Sequence, residues 1–340
     1  MVAIQAREMN APRILITEHI AQEGIDLLRY ELPDAYIDVR LDLSQEHLQA
    51  LIGRYTALII RSQTRVTEEL LAKATLLQVI GRAGSGLDNI DLDAAIRRGV
   101  LVVNAPRGSA IAVAEHTIAL LLALARHIPT ANSSIKAGRW DKNTLLGVEL
   151  HGKVLGIIGL GKIGKEVAQR AKSLGMRVIA CDPFLSAKQG QQVGVTLHSK
   201  EEVLPRADFV TLHATLANDE SGTRKLLGAR ELHLFKPGAY LVNCARGSLI
   251  DEEALLAVLN EGRLAGVALD VFSREPIGDN TVLRQLLTHE RVLATPHLGA
   301  STAEAQVRVA TEVARNIIAA LRGDTLFGVA TLSFPPSKPA

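Results

Sequence analysis

The chain is short of cysteine, of net charge and of long apolar runs, and each shortage removes a class of function. Only two cysteines, Cys181 and Cys244, occur in 340 residues. They lie far apart, each in a strand pattern, with no CxxC or Cys/His zinc spacing, so no metal site is expected. Buried free thiols in a reducing cytoplasm are the simplest reading. Lysine and arginine total 38 against 36 acidic residues, a net charge of +2. That balance offers no electrostatic case for nucleic acid or an anionic membrane as partner. The longest apolar run, residues 118–125, is too short to span a bilayer. Residues 1–12 lack the long apolar core of a secretory signal. There is no internal repeat or low-complexity tract, and the proline-bearing tail at residues 334–339 reads as mobile. A hydrophobic content of 47% with 22% charged residues supports a full core, and the length suggests about two domains.

What is present is a glycine-rich turn in an informative setting: Gly159-Leu160-Gly161-Lys162-Ile163-Gly164. The preceding Val154-Leu155-Gly156-Ile157-Ile158 reads as a buried strand. Over residues 165–174, Val167, Ala168, Ala171 and Leu174 share one helical face. A second strand, Arg177-Val178-Ile179-Ala180-Cys181, ends at Asp182. Strand, glycine turn, helix and a downstream acid form the dinucleotide fingerprint. Gly159 permits the turn, Gly161 lets the backbone approach a pyrophosphate, and Gly164 allows close helix–strand packing. The helix N-terminus favours the phosphate charge. Asp182 can accept ribose hydroxyls and would repel a 2′-phosphate. A phosphate-binding NTPase loop is a rival, since Gly159 to Lys165 also fits the start of that pattern. Glu166, however, stands where a Mg²⁺-binding Ser or Thr belongs.

Strand and helix patterns alternate along the chain, which predicts an α/β fold: two Rossmann-like parallel-sheet domains with a cleft between them. Strands are expected near Ile14, Ile59, Val79 and Val102, with helices over 67–74 and 91–98. An apolar helix over 111–126 opens the second region. Strands near Val210, Leu241, Val267 and Leu293 follow the fingerprint, and a last helix covers 302–321. That helix is expected to return to the first unit. A discontinuous substrate-binding domain, 1–108 with 300–340, would then flank a dinucleotide-binding domain over 109–299.

Ligands of open α/β sheets sit at the carboxyl ends of the strands. That rule selects Arg246, Glu275 and His297, each following a strand of the second region. Arginine can bind a carboxylate through two parallel hydrogen bonds and polarise an adjacent carbonyl. Histidine can exchange a hydroxyl proton near neutral pH. A neighbouring glutamate favours the imidazolium and fixes the ring. Taken singly, these three also read as a capping residue, a turn residue before Pro276 and a loop histidine. His213 ends a strand on the cofactor side and is read as a cofactor contact.

Further segments carry a resemblance: Gly81-Arg82-Ala83-Gly84-Ser85-Gly86-Leu87-Asp88-Asn89-Ile90-Asp91, Val103-Asn104-Ala105-Pro106, Asn243-Cys244-Ala245-Arg246-Gly247, Ala268-Leu269-Asp270-Val271-Phe272 and Pro296-His297-Leu298-Gly299-Ala300-Ser301-Thr302. Over about residues 13–322 the chain resembles the D-isomer-specific 2-hydroxyacid dehydrogenases. The resemblance implies a catalytic trio of Arg246, Glu275 and His297, in agreement with the strand-end argument. It implies NAD contacts at Ser85, Lys162, Ile163, Asp182, Cys244, Ala245, Asp270, His297 and Gly299. It implies substrate-carboxylate binding by the backbone at Ser85 and Gly86, and an arginine near a substrate phosphate at Arg61. The implied substrate is a small anionic 2-hydroxy or 2-keto acid, D-3-phosphoglycerate first, with glycerate, glycolate, hydroxypyruvate, glyoxylate or a sulfonated lactate as alternatives. A non-catalytic, NAD-responsive co-repressor scaffold is a different class, for which no partner-docking feature is legible. A homodimer or dimer of dimers built through the 111–126 region is also implied.

Four departures temper the phosphate reading. The run after Trp140, Asp141-Lys142-Asn143-Thr144, holds one lysine where phosphoglycerate-acting members often have a basic cluster. Ser109 replaces a common asparagine. Ala214 and Thr215 replace a threonine–proline pair. The chain ends soon after its last helix, so a regulatory domain and serine feedback are not expected.

Overall fold

Short apolar runs build a first sheet from β1 (Arg13–Ile16), β2 (Tyr36–Val39), β3 (Ala57–Ile60), β4 (Val79–Arg82) and β5 (Leu101–Asn104). All pairings are parallel, in the order β2-β1-β3-β4-β5. The inner strands are continuously apolar because helices cover both faces of a parallel sheet. β2 escapes that signature and is missed by the apolar pattern. It is an edge strand, partly exposed, whose Asp38 accepts the Tyr55 hydroxyl at 2.6 Å while the Arg13 guanidinium lies over Tyr36. The structure, a computed structural model, describes residues 11–214 and 225–324; the start of the chain, Thr215 and the proline-bearing tail lie outside them.

The second sheet contains β6 (Val154–Ile158), β7 (Arg177–Cys181), β8 (Thr196–Leu197), β9 (Phe209–Leu212), β10 (Ala239–Asn243), β11 (Leu264–Leu269) and β12 (Val292–Ala294). It is also parallel, ordered β12-β11-β10-β9-β6-β7-β8. Only the two-residue β8 was unforeseen here, being too short to show periodicity. Each sheet reverses its winding once, at β1/β3 and at β6/β9. Such switch points are where open α/β sheets bind ligands.

By its internal contacts the chain divides into two compact units, one running to Ser109 and resuming at Thr302, the other Ala110–Ser301. In the first, the helix Ala303–Arg322 packs on the helix Gln22–Glu31 and on β4 and β5. Thr302 caps its N-terminus by accepting the Ala305 N–H, and Gly323 ends it in the left-handed region. Glu312 accepts the N–H groups of Arg107 and Gly108, and Asn316 Nδ2 donates to Asn104 O at 2.9 Å.

In the second unit the helix Ala110–Ala125 packs against the helix Lys162–Ser173 and against β10 and β11. Its apolar composition serves that packing: Val113, Thr117, Leu120, Leu121 and Leu124 are buried. Each fully buried leucine of such a face contributes roughly 1.5–3 kcal/mol. Among the described residues no single helix is long and apolar enough to cross a membrane. Cys244 is buried, but Cys181 is only partly so, because it is the last residue of β7.

Candidate active site

The glycine turn leaves β6 at the β6/β9 switch point. Gly159 has φ +95°, and a Cβ there would lie 2.6 Å from the backbone of His213 and Ala214. Gly164 is also required: a Cβ there would collide with the Gly159 carbonyl oxygen and lie 3.4 Å from Ile157 of β6, so its lack of a side chain lets the helix close on both the turn and the strand. Gly161 differs: its φ is −72°, and a Cβ would meet no atom within 4 Å. Protein packing does not demand a glycine there, and the open space suits a pyrophosphate approaching the N-terminus of Lys162–Ser173. Lys162 and Ile163 form the first turn of that helix.

Asp182 ties the turn to the end of β7. Its Oδ2 accepts the Leu160 N–H at 2.8 Å and its Oδ1 the Phe184 N–H at 3.0 Å. Each carboxylate oxygen keeps accepting capacity for a ribose hydroxyl. Glu166, at the place where the NTPase rival needs a Mg²⁺-binding hydroxyl, is engaged by an arginine instead. It pairs with Arg170 at 2.6 Å, and Arg170 also reaches Glu115. His213 packs its backbone against Gly159, and both ring nitrogens are buried without a hydrogen-bond partner. Burial pushes its pKa down to about 3, so the ring is neutral and brings no charge to a phosphate.

Three loops at the carboxyl edge carry the expected trio. After β10, the buried Asn243 folds the chain back: Oδ1 accepts the Ala245 N–H and Nδ2 donates to Arg246 O. This clamp holds Cys244, Ala245 and Arg246, and the Arg246 Nη1 donates to Ala245 O. Gly247 runs so close to Phe272 that any side chain there would collide with its carbonyl carbon. That approach brings the Arg246 loop beside the loop after β11. There Glu275 Oε1 accepts the Phe272 N–H, and Glu252 accepts the Ser273 N–H and hydroxyl.

His297 follows β12 with φ +55°, its N–H donating to Asp270 O. Its Nδ1 lies 2.6 Å from Glu275 Oε2. The ionised carboxylate can only accept, so Nδ1 carries the proton and Nε2 is left for a ligand. Burial alone would raise the Glu275 pKa. The bonds from His297 and Phe272 outweigh it and hold the carboxyl below its ordinary value. The Cys244 thiol is pushed up to about 12, mainly by burial, which leaves it uncharged. Asp270 Oδ2 accepts the Gly299 N–H, and a Cβ on Gly299 would lie 3.2 Å from that oxygen and 3.4 Å from the Val113 side chain.

In the first unit, Arg61 follows β3 at the β1/β3 switch point. The loop is held by Glu18, which accepts the N–H groups of Arg61, Gln63 and Thr64. Burial opposes ionisation of Glu18, but these bonds lower its pKa overall. The Arg61 Nη1 donates to His19 O at 3.1 Å. Ser85 and Gly86 follow β4; Asn104 Nδ2 donates to Ser85 O, and the backbone N–H groups of both residues find no acceptor among the described residues. The guanidinium of Arg82, which strand-end reasoning passed over, lies against Gly84 in the same turn. Asn243, Glu18 and Glu252 were also passed over. Glu18 and Glu252 act on backbone N–H groups remote in sequence, which no local pattern announces; Asn243 closes a local turn on Ala245 and Arg246, and an asparagine just before the loop was the available signal. Lys142 is exposed.

Residues 118–299 match the family described as D-isomer specific 2-hydroxyacid dehydrogenase, NAD binding domain. The chain is 44% identical over 317 residues to a D-3-phosphoglycerate dehydrogenase of Synechocystis sp., covering 93% of this chain and 55% of that protein. It is 49% identical over 315 residues to D-3-phosphoglycerate dehydrogenase 3, chloroplastic, of Arabidopsis thaliana, covering 92% and 52%. The chain thus spans about half the length of these curated relatives. Among solved structures, a glyoxylate reductase from Paecilomyes thermophila superposes with a TM-score of 0.85 at 29% identity, covering 96% of this chain and 100% of that one. A D-lactate dehydrogenase from Aquifex aeolicus, complexed with NAD and lactic acid, gives 0.80 at 28% identity, covering 92% and 96%.

Proposed function

The chain belongs to the D-isomer specific 2-hydroxyacid dehydrogenases, and from that premise we propose that it interconverts D-3-phosphoglycerate and 3-phosphohydroxypyruvate. The observation that carries the reading is the 2.6 Å pair of His297 and Glu275 at the sheet edge that also bears the glycine turn. The glycine turn and Asp182 would hold NAD, by its pyrophosphate and ribose, and the bound cofactor would supply the hydride acceptor. In oxidation, His297 Nε2 takes the proton of the substrate's 2-hydroxyl. Glu275 holds the ring in the tautomer that leaves Nε2 open and favours the imidazolium that forms. Arg246 binds the carboxylate and polarises the C2 oxygen as it becomes a carbonyl. In reduction His297 returns the proton. Cys244, Ala245, Asp270 and Gly299 line the cofactor side in this reading.

Support for a carboxylate contact in the first unit comes from the two backbone N–H groups of Ser85 and Gly86, which find no acceptor among the described residues. Adjacent unpaired amides in a turn suit an anion. Arg61, at a switch point, is assigned to the distal phosphate. The relatives named for phosphoglycerate favour that substrate, whereas the solved structures are named for glyoxylate and lactate. The single lysine near Trp140 favours a second reading, a small 2-keto acid without phosphate. Following NADH oxidation with 3-phosphohydroxypyruvate, hydroxypyruvate, glyoxylate and pyruvate decides between them. Faster turnover of hydroxypyruvate than of its phosphorylated form would defeat the phosphoglycerate assignment.

A second copy of the chain is the proposed partner. Ile111, Leu122, Ile128, Ile135, Trp140 and Leu146 are exposed apolar residues close together in sequence, Trp140 81% and Leu146 88% exposed. Such a concentration suits an interface. Light scattering during gel filtration should give a dimer mass, and a monomer at micromolar concentration would reject this assignment.

A further inference from the structure

We propose that His116 is a positioning residue for the His297 loop, acting through the buried carboxylate of Asp270. The proposal rests on the acid–base reading of His297. Asp270 is 1% exposed in its side chain and gathers donors from two directions. From the loop after β12, Oδ1 accepts the Thr295 hydroxyl at 2.5 Å and the Leu298 N–H at 2.8 Å, and Oδ2 accepts the Gly299 N–H at 2.8 Å. From the helix Ala110–Ala125, His116 Nε2 stands 3.2 Å from Asp270 Oδ1 and 3.2 Å from Thr295 Oγ1.

The donor roles follow from chemistry. An ionised carboxylate only accepts, and the Thr295 hydroxyl spends its proton on Oδ1. His116 Nε2–H must therefore be the donor to both. His297 lies between these anchored residues, with its own N–H on Asp270 O. Its φ of +55° is one that a side-chain-bearing residue rarely adopts unless its surroundings hold it there. Thr295, Leu298 and Gly299 are the clamps on either side, and all three close on one carboxylate. His116 fixes that carboxylate to a helix packed on β10 and β11. Cys244 Sγ completes a group of possible ligand atoms within 4.8 Å. Asp270 already takes four side-chain-directed donors, so the arrangement is a hydrogen-bond hub and not a cation site.

Three variants test this: His116→Ala, His116→Gln and His116→Asn. A glutamine amide nitrogen reaches about as far as Nε2; an asparagine amide reaches only as far as Nδ1. Three quantities are read on each full-length protein: amide hydrogen exchange at Leu298 and Gly299 without cofactor, the NADH dissociation constant by fluorescence, and kcat. The alanine and asparagine variants should speed exchange at both amides and lower kcat roughly 10- to 100-fold, the range for slight misplacement of a reacting group. NADH binding should weaken by a smaller factor than kcat falls, since Asp270 and Gly299 also line the cofactor side while the larger loss lies in the chemical step. Glutamine should restore both exchange protection and kcat. Unchanged exchange and kcat in the alanine variant would overturn the proposal. So would equal impairment of the glutamine and alanine variants, or a loss confined to NADH binding. Wild-type protein without turnover on any 2-keto acid would reject the acid–base reading, while the exchange measurements would still judge the positioning.

Discussion

His297 Nδ1 and Glu275 Oε2 are 2.6 Å apart, although 22 residues separate them in the chain. The contact joins the loops after β11 and β12, two neighbouring parallel strands. A hydrogen bond to an ionised acceptor is about twice as strong as a neutral one, and this one fixes both the tautomer and the ring plane. Removing the imidazole with His297→Ala should lower turnover roughly 10²- to 10⁴-fold while NADH still binds. Near-normal turnover, with chemistry rate-limiting, would remove His297 from the acid–base role.

The pH dependence follows from the same pair. The folded Glu275 has a pKa below its ordinary 4.5, so the carboxylate and its support of the imidazolium persist above that value and fade only as pH falls beneath it. Reduction needs protonated His297 and fails as pH rises. Glu275→Gln withdraws the charge that favours the imidazolium, so this failure should move to lower pH. A pH–rate profile of keto-acid reduction checks it; an unmoved or raised limb would contradict the pairing.

The glycines of the turn should separate under mutation. Gly159 has φ +95° and a crowded Cβ position, so Gly159→Ala should lower the melting temperature. Gly161 has an ordinary φ and an empty Cβ position, so Gly161→Ala should melt like the wild type yet bind NADH poorly. Thermal melts with NADH titrations measure both effects. Full NADH affinity in the Gly161 variant would place the pyrophosphate elsewhere.

Asp182 should set the preference for NAD over NADP. Its carboxylate would repel a 2′-phosphate, and no arginine follows in Pro183-Phe184-Leu185 to offset it. Asp182→Ala should narrow the preference while also slowing the NAD reaction, because the Leu160 N–H loses its acceptor. Equal kcat/KM for the two cofactors in the wild type would refute the assignment.

Arg61→Ala should raise KM for 3-phosphoglycerate far more than for glycerate. A lost hydrogen bond to a charged group is worth ~1.5–3 kcal/mol, which is roughly 10- to 150-fold. The three amide N–H groups on Glu18 hold the loop independently of the guanidinium, so the fold should survive. Equal losses with both substrates would assign Arg61 to the common carboxylate or to the loop.

The amino-acid sequence determined by itself whatever is local. The glycine turn, Asp182 and the inner strands were legible because turn chemistry and apolar runs lie within a few consecutive residues. Arg246, Glu275 and His297 were legible because each follows a recognisable strand, and parallel strands deliver their ends to one edge. Tertiary structure decided the rest. The edge strands β2 and β8 lack a buried face to write into the sequence. The bond from Glu312 to Arg107 spans 205 residues, and the pairing of His116 with Asp270 spans 154. Gly164 reads in the sequence as a helix–strand spacer, and the fold adds that it also admits the carbonyl of Gly159. Such contacts depend on strand order and helix placement, which hydrophobic periodicity does not encode. A buried carboxylate therefore reads in the sequence as one acid among 36, and only the folded chain shows which donors it holds.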